Sequence, residues 1–589
     1  MKKLVSLLLL LVMLLSSLTV LTSCKPRDDG AEINIYLGAQ VFDFDPSDYY
    51  VSANAERILS LLYEPLFTVN KNGKVKCAAA DKYKIDKDER KIVIDLCESY
   101  WSDGVVVKAE DFVYTWCERI IAPENPNPAA SLFLEIEGVR EAMKGEISIS
   151  DIGIIASETD QITITYRAGA DPDRILANLA SVATSPVRKD LVEEAETYWS
   201  KSSLVSNGPF KLKSYDRDEG TFELARNRGF HQQPDVKDYD NKVKPGLLYG
   251  EYTFPDSDIT VTYEDIENKV TFVMAEASLA DRQAYKKKAK TSDHTSTYTY
   301  VFNTSHPLFA DAYVRLALSA AIDRNAIVDA ITFGHAADGL IPDVSGGAEN
   351  SFISSSADLT KAKGYLKLAN QDVVAANKSF TLTINADEQS KAIANIVVAA
   401  WEKLGFNVTI KAVSSVESDL PGGGSIVDSS IQYLIKDATY GDVNYDVIAV
   451  DWQTFSTDAL AGLATLTSRL GGMGNEQIVG DPYAPGVGGT LGSSEARLNI
   501  ARWTDAKYDQ MILEASACAD EDERAKKLAE AEAYLMSKMP VCPLVFNQTF
   551  VFKSSKIAKL RFDGLGHFSF TKVKLRGYRK YFKPEEVEG

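Results

Sequence analysis

The chain is 589 residues long with a formal charge of −19, from 64 Lys and Arg against 83 Asp and Glu. That length calls for two or more large lobes rather than one core. The acidic balance argues against nucleic acid as a partner and suits a protein that stays soluble beside an anionic membrane.

Met1-Lys2-Lys3 and the apolar run Leu4 to Leu21 have the charged start and apolar body of a secretory signal. The run is also about long enough to span a bilayer. Leu21-Thr22-Ser23-Cys24 decides between the two, because it resembles a bacterial lipobox, in which the chain is cut before Cys24 and the Cys24 thiol is lipidated. Each buried acyl CH₂ contributes roughly 0.8 kcal/mol, so two or more chains hold a body durably at a membrane. Lys25 to Gly30 reads as a polar tether. The expectation is a soluble body anchored to the outer face of the cell membrane, on the periplasmic side where an outer membrane exists. Five further cysteines, Cys77, Cys97, Cys117, Cys518 and Cys542, are sparse and odd in number, which implies no disulfide framework. Cys77 and Cys97 could be bridged if they flank one hairpin.

Along the body, Glu32 to Leu37 reads as a strand and Ala53 to Leu62 as a helix. Lys82 to Ile85 and Ile92 to Leu96 make a hairpin. A helix starts at Lys108 or Ala109 with acids in its first turn, where the macrodipole favours them, and Phe112 and Trp116 share its core face. Lys211 to Tyr215 and Thr221 to Leu224 form a second hairpin, whose turn Asp216 to Gly220 lacks EF-hand spacing. The basic cluster Lys286 to Lys290 reads as a solvated helix end. Tyr298 to Phe302 alternates like a strand, and Asn303 to Pro307 break it. Asp311 then caps a helix with Val314, Ala317, Leu318, Ala321 and Ile322 inward, and Asp323 caps another carrying Ile327, Val328 and Ile331. Strand Ser379 to Ile384, helix Ala392 to Leu404 stopped by Gly405, and strand Phe406 to Val413 suggest a parallel βαβ unit. Tyr445 to Val450 is an apolar strand between Gly-rich loops at Pro421 to Gly424 and Gly471 to Ser494. Helix Asp520 to Met539 and strand Pro540 to Phe546 follow, and the acidic tail Glu585 to Glu588 reads as solvated.

Catalytic chemistry is poorly represented. No HExxH or CxxC pair, nucleophile elbow or Walker A loop occurs. His231, His294, His306, His335 and His567 are scattered and read as surface residues rather than ligands or bases. No enzyme, catalytic residue, metal or organic cofactor is implied.

Tyr298 to Ile331 resembles the F-N-x-x-x-x-P-F-x-D-x-x-V-R-x-A-L-x-x-A-I-D-R signature of the extracellular solute-binding proteins that serve peptide and oligopeptide ATP-binding-cassette importers. Leu308 is its one departure, replacing a proline. Leu61 to Phe67, Tyr100 to Trp116 (with Trp101-Ser102-Asp103-Gly104), Asn207-Gly208-Pro209-Phe210 and the closing helix and strand resemble further family blocks in the family's order. The resemblance implies an α/β, two-lobed periplasmic-binding-protein-like fold of type II with an accessory domain. Lobe I would combine residues 32–74, 186–297 and 541–589, the accessory domain 75–185, and lobe II 298–540.

It also implies a monomer that closes on a peptide or peptide-like ligand and delivers it to the permease and ATPase subunits of an importer, with ATP hydrolysed by that partner. The ligand backbone would pair with Val51-Ser52-Ala53 on one lobe and Asp451-Trp452-Gln453 on the other, as an added strand. Trp452 matches the tryptophan of the family's W-x-A-D-Y-x-D-P motif. Phe455 stands where that motif has the Asp that anchors a peptide amine, and Asp458 matches its later Asp. Losing one partner of a buried charge pair costs about 2–5 kcal/mol. Either Asp458 or Asp451 takes the amine in a shifted register, or the ligand is not a free-amine peptide and the Gly-rich loops admit a bulkier solute. The same fold with a non-peptide solute, a secreted lipoprotein hydrolase and an adhesin are the alternatives.

Overall fold

The computed structural model describes residues 31–39, 44–47, 53–122, 127–143, 145–193, 204–216, 221–231, 245–253, 262–267, 272–349, 351–413, 416–419, 425–428, 445–467, 499–570 and 573–576. The leader, Cys24, Val51, Ser52, residues 217–220, both Gly-rich loops and the acidic tail lie outside them. Among the described residues no helix is long and apolar enough to cross a membrane.

Two antiparallel strands, Lys290–Phe302 and Val541–Lys553, form the centre of an 11-stranded sheet. Beyond Lys290–Phe302 lie Val447–Gln453, then Ser379–Asn385 and Asn407–Val413; beyond Val541–Lys553 lie Phe272–Met274, Ala31–Ala39, Pro245–Thr253, Thr221–Arg226 and Phe210–Asp216. The central ladder is interrupted. Residues 290–293 pair with 548–551 and 297–301 with 541–546, leaving His294-Thr295-Ser296 opposite Asn547 without regular pairing. The sheet thus has two halves that share only these two strands, as a two-lobed α/β fold requires. A separate four-stranded sheet, in the order Ala80–Asp86, Lys91–Leu96, Gln161–Thr165, Ile154–Glu158, carries the helix Ala109–Tyr114. Phe112 and Trp116 are fully buried there, as expected of core residues.

The signature stretch shows why its residue types stand together. Asp311 accepts from Tyr313 N at 2.8 Å and caps Ala312–Ala320, while Asp323 accepts from Ala326 N at 3.0 Å and caps Arg324–Ile331. Arg315 donates to the carbonyls of Lys538 and Met539, where the helix Glu521–Lys538 ends and a cation suits its dipole. Arg324 donates to Pro543 O at 2.7 Å and ties the helix to the return strand. The parallel βαβ unit is present: Ser379–Asn385 pairs in parallel with Asn407–Val413 across the helix Glu388–Glu402, whose Trp401 is fully buried against Tyr300, Phe302 and Phe380. That helix starts before Ala392 because Asp387 caps it, accepting from Ser390 N at 2.8 Å.

Three sequence expectations change. The strand containing Tyr298 begins at Lys290, since its polar first half finds partners on the return strand. Cys77 and Cys97 are not bridged; all five described cysteines are free thiols, and Cys97 Sγ instead faces Ala78 O at 3.8 Å. The histidines are not all surface residues, because His294 is buried and His231 and His567 lie against carboxylates.

Candidate functional site

The strand Val447–Gln453 runs on past Val450 through Asp451, Trp452 and Gln453, because all three stay in register with Tyr298, Thr297 and Ser296 of the neighbouring strand. Alternation along a strand sends Trp452 to one face and Asp451 and Gln453 to the other. Trp452 is buried, and its indole donates to Gly462 O at 3.2 Å. Its ring therefore packs on the helix Ala459–Ala464.

The opposite face carries a row of polar groups. Asp451 is partly exposed and accepts from Asn547 Nδ2 at 2.8 Å; the same amide nitrogen donates to Ser296 Oγ at 2.8 Å. Burial raises the Asp451 carboxyl above the usual range, opposed by the Asn547 hydrogen bond and the nearby His294 and Arg57. Gln453 is only 4% exposed, and neither end of its amide has a hydrogen-bond partner among the described residues. A buried unpaired polar group costs about 1–3 kcal/mol. None of the described residues supplies a partner for that amide.

The two residues that follow behave differently. Phe455 has φ +62° and is 2% exposed, so a left-handed backbone turns its ring into the core. Such a conformation costs a non-glycine residue about 1–2 kcal/mol and clusters at ligand clamps. Asp458 caps Ala459–Ala464, accepting from Leu460 N at 3.2 Å, and both its oxygens take Arg524, at 2.9 and 2.8 Å. Arg174, paired with Glu135 at 2.6 Å, approaches Asp458 to 3.9 Å. Asp458 is already matched by the protein's own cations. Ala53 begins the helix Ala53–Leu62, next to the sheet half that contains Ala31–Ala39.

Where the two halves meet, Arg282 donates to Gln389 and Leu279 N donates to Glu388 Oε2 at 3.0 Å. Arg57 and Arg282 share Glu276, and Asp387, whose carboxyl burial pushes up, lies beside them. Arg57 and Arg282 thus pair with Glu276, and Asp387 and Asp451 lie close to them. Sequence reasoning named Asp451 and Gln453 but missed Asn547, Ser296 and Asp387. Nothing in their local pattern marks them, since they converge only when the central strands pair.

Residues 74–473 match the family of bacterial extracellular solute-binding proteins, family 5. The chain belongs to that family, whose members are binding proteins and not enzymes. It is 23% identical over 507 residues to the dipeptide-binding protein DppE of Bacillus subtilis, covering 85% of this chain and 84% of that one. It is 25% identical over 522 residues to the periplasmic murein peptide-binding protein MppA of Escherichia coli, covering 83% and 82%. The structure of the E. coli murein tripeptide-binding protein superposes with a TM-score of 0.72 at 21% identity, covering 93% of this chain and 98% of that one. The pheromone receptor PrgZ superposes with a TM-score of 0.73 at 18% identity, covering 93% and 100%. The unliganded open form of the murein tripeptide-binding protein superposes at only 0.53, covering 93% and 97%. Two arrangements of one relative therefore match this chain unequally.

Proposed function

We propose that the protein is the lipid-anchored solute receptor of an ATP-binding-cassette importer and that it captures peptides between its two halves. Family membership and the peptide-binding relatives support the ligand class; the unpartnered Gln453 amide at the end of a strand in the sheet centre carries the location. A ligand backbone lies along Asp451-Trp452-Gln453 and, across the cleft, along Val51-Ser52-Ala53. Asp451 receives the ligand's amine in place of the missing acid at Phe455, because Asp458 is already bound by Arg524. Backbone pairing tolerates many side chains, so affinity comes with broad specificity.

Lobe I (32–74, 186–297, 541–589) closes on lobe II (298–540) by flexing the gap at His294 to Ser296 and Asn547, with residues 75–185 as the accessory domain. The unequal match to the two forms of the murein tripeptide-binding protein supports such a movement. The receptor acts as a monomer, held by lipidated Cys24, and hands its ligand to the permease.

Native mass spectrometry of the protein as purified, and again after unfolding and refolding, tests this. Co-purified masses matching mixed short peptides that vanish on refolding are the expected result. A single non-peptide mass would replace the ligand class. No bound mass and no ligand-induced rise in melting temperature across a peptide library would overturn the reading.

A further inference from the structure

Three groups far apart in the chain meet on the polar face of the crossing strand. Glu56 Oε2 lies 2.8 Å from His294 Nε2, and Glu56 Oε1 lies 2.6 Å from His567 Nε2. Glu56 is 2% and His294 5% exposed, and one ligand atom from each of the three residues fits within 4.8 Å of the others. They come from the helix Ala53–Leu62, the strand Lys290–Phe302 and the segment after Leu565.

The other ring nitrogens are held as well. His294 Nδ1 meets Ser296 Oγ at 2.8 Å, and His567 Nδ1 meets Asp563 Oδ2 at 3.3 Å. Both imidazoles therefore present Nε2 to one point while an outer partner fixes the ring, the arrangement that metal-ligating histidines use. Gly566 makes the approach possible. At φ +91°, it lies so close to the strand that a Cβ there would stand 2.6 Å from Asp293 O and 3.2 Å from His294 Cα.

We propose that Glu56, His294 and His567 form a binding site for a divalent cation of the zinc class, which ties the helix, the crossing strand and the C-terminal segment together. Two imidazoles and one carboxylate suit zinc and its first-row neighbours. Tetrahedral ligands about 2.0–2.2 Å from zinc stand roughly 3.3 Å apart, so the two His–Glu56 contacts open by about 0.5–0.7 Å while the two imidazoles, within 4.8 Å, close on the ion. The charge also balances, since a dication is offset by Glu56 and, through His567, by Asp563. Three protein ligands leave a fourth position for a water. The site adjoins the Asp451 row through Ser296 and Asn547, but none of its three ligands is a residue proposed to meet the peptide, so metal uptake can be read separately from peptide binding.

Untagged protein stripped with a chelator, then titrated with zinc chloride against a chromophoric competitor, tests the site. The expected result is one equivalent bound, a higher melting temperature with metal, and a visible d–d absorption when cobalt(II) replaces zinc. His294→Gln and His567→Gln abolish stoichiometric binding, and Asp563→Asn weakens it about 10–100-fold. His335→Gln, at an exposed histidine outside the cluster, leaves binding unchanged. Wild-type protein that takes up no equivalent of zinc and shows no cobalt band would overturn the proposal and leave a metal-free hydrogen-bonded triad. Binding that survives both histidine substitutions would overturn it equally.

Discussion

Asp458 and Asp451 flank the same tryptophan and are held in opposite ways. Asp458 caps a helix and takes both arms of Arg524, all of it buried. Asp451 is partly exposed, with a neutral amide as its hydrogen-bond donor and, on its own face of the strand, a Gln453 amide that no described residue partners. A carboxylate held by both arms of an internal arginine contributes to the fold, whereas one hydrogen-bonded to an amide, with His294 and Arg57 only nearby, has room for a further cation. Position in a motif does not distinguish the two; the identity of the neighbour does.

The strongest way to break this contrast is Asp458→Ala. Leaving Arg524 buried without its partner should cost about 3–5 kcal/mol, read as a lower denaturant midpoint. A loss within about 0.5 kcal/mol, as at an ordinary surface site, would show that Asp458 is not a structural acid. Asp451→Asn should leave that midpoint nearly unchanged and weaken free-amine peptides by about 2–5 kcal/mol, with much less effect on their N-acetylated forms. Calorimetric titration of both peptide sets checks it, and equal weakening of the two would remove the amine from the Asp451 site.

Glu532 extends the comparison to an acid with no cation partner among the described residues. It is buried, accepts from Leu340 N at 2.7 Å and Ile341 N at 3.0 Å, and burial raises its carboxyl to about 7. The folded state thus holds this proton more tightly than the unfolded chain. Its contribution is most favourable below about pH 4.5 and declines as pH rises to about 7, by roughly 3 kcal/mol in all. Glu532→Gln should flatten that decline in melting temperature against pH, and an unchanged slope would refute it. The smallest effect is expected from Gln453→Leu, which removes an unpartnered buried amide. The ligand-free protein should gain up to about 1–3 kcal/mol while peptide binding weakens; a gain in stability without loss of affinity would place the ligand elsewhere.

Much of the fold was legible because local chemistry decides it. Asp311 and Asp323 cap the helices their spacing announced, Gly405 ends its helix at φ +90°, and Phe112 and Trp116 are core. Of the proposed site, sequence could point only to Asp451 to Gln453, which continue an apolar strand. The left-handed turn at Phe455 and the link from Asp458 to Arg524 depend on long-range packing, which no local pattern encodes. The histidines show the same limit: Glu56, His294 and His567 look scattered until the central strands and the C-terminal segment come together.

The strand Val541–Lys553 belongs to the centre of both halves of the sheet, yet it is made long after its partner Lys290–Phe302. A ribosome that has not yet made Val541 has therefore made a polypeptide in which neither half can complete its sheet. Long-range pairing of this kind is slow in any case. Completion of the sheet is thus postponed until Val541–Lys553 has been made, long after its partner strand Lys290–Phe302, so the two halves become folded together rather than one after the other.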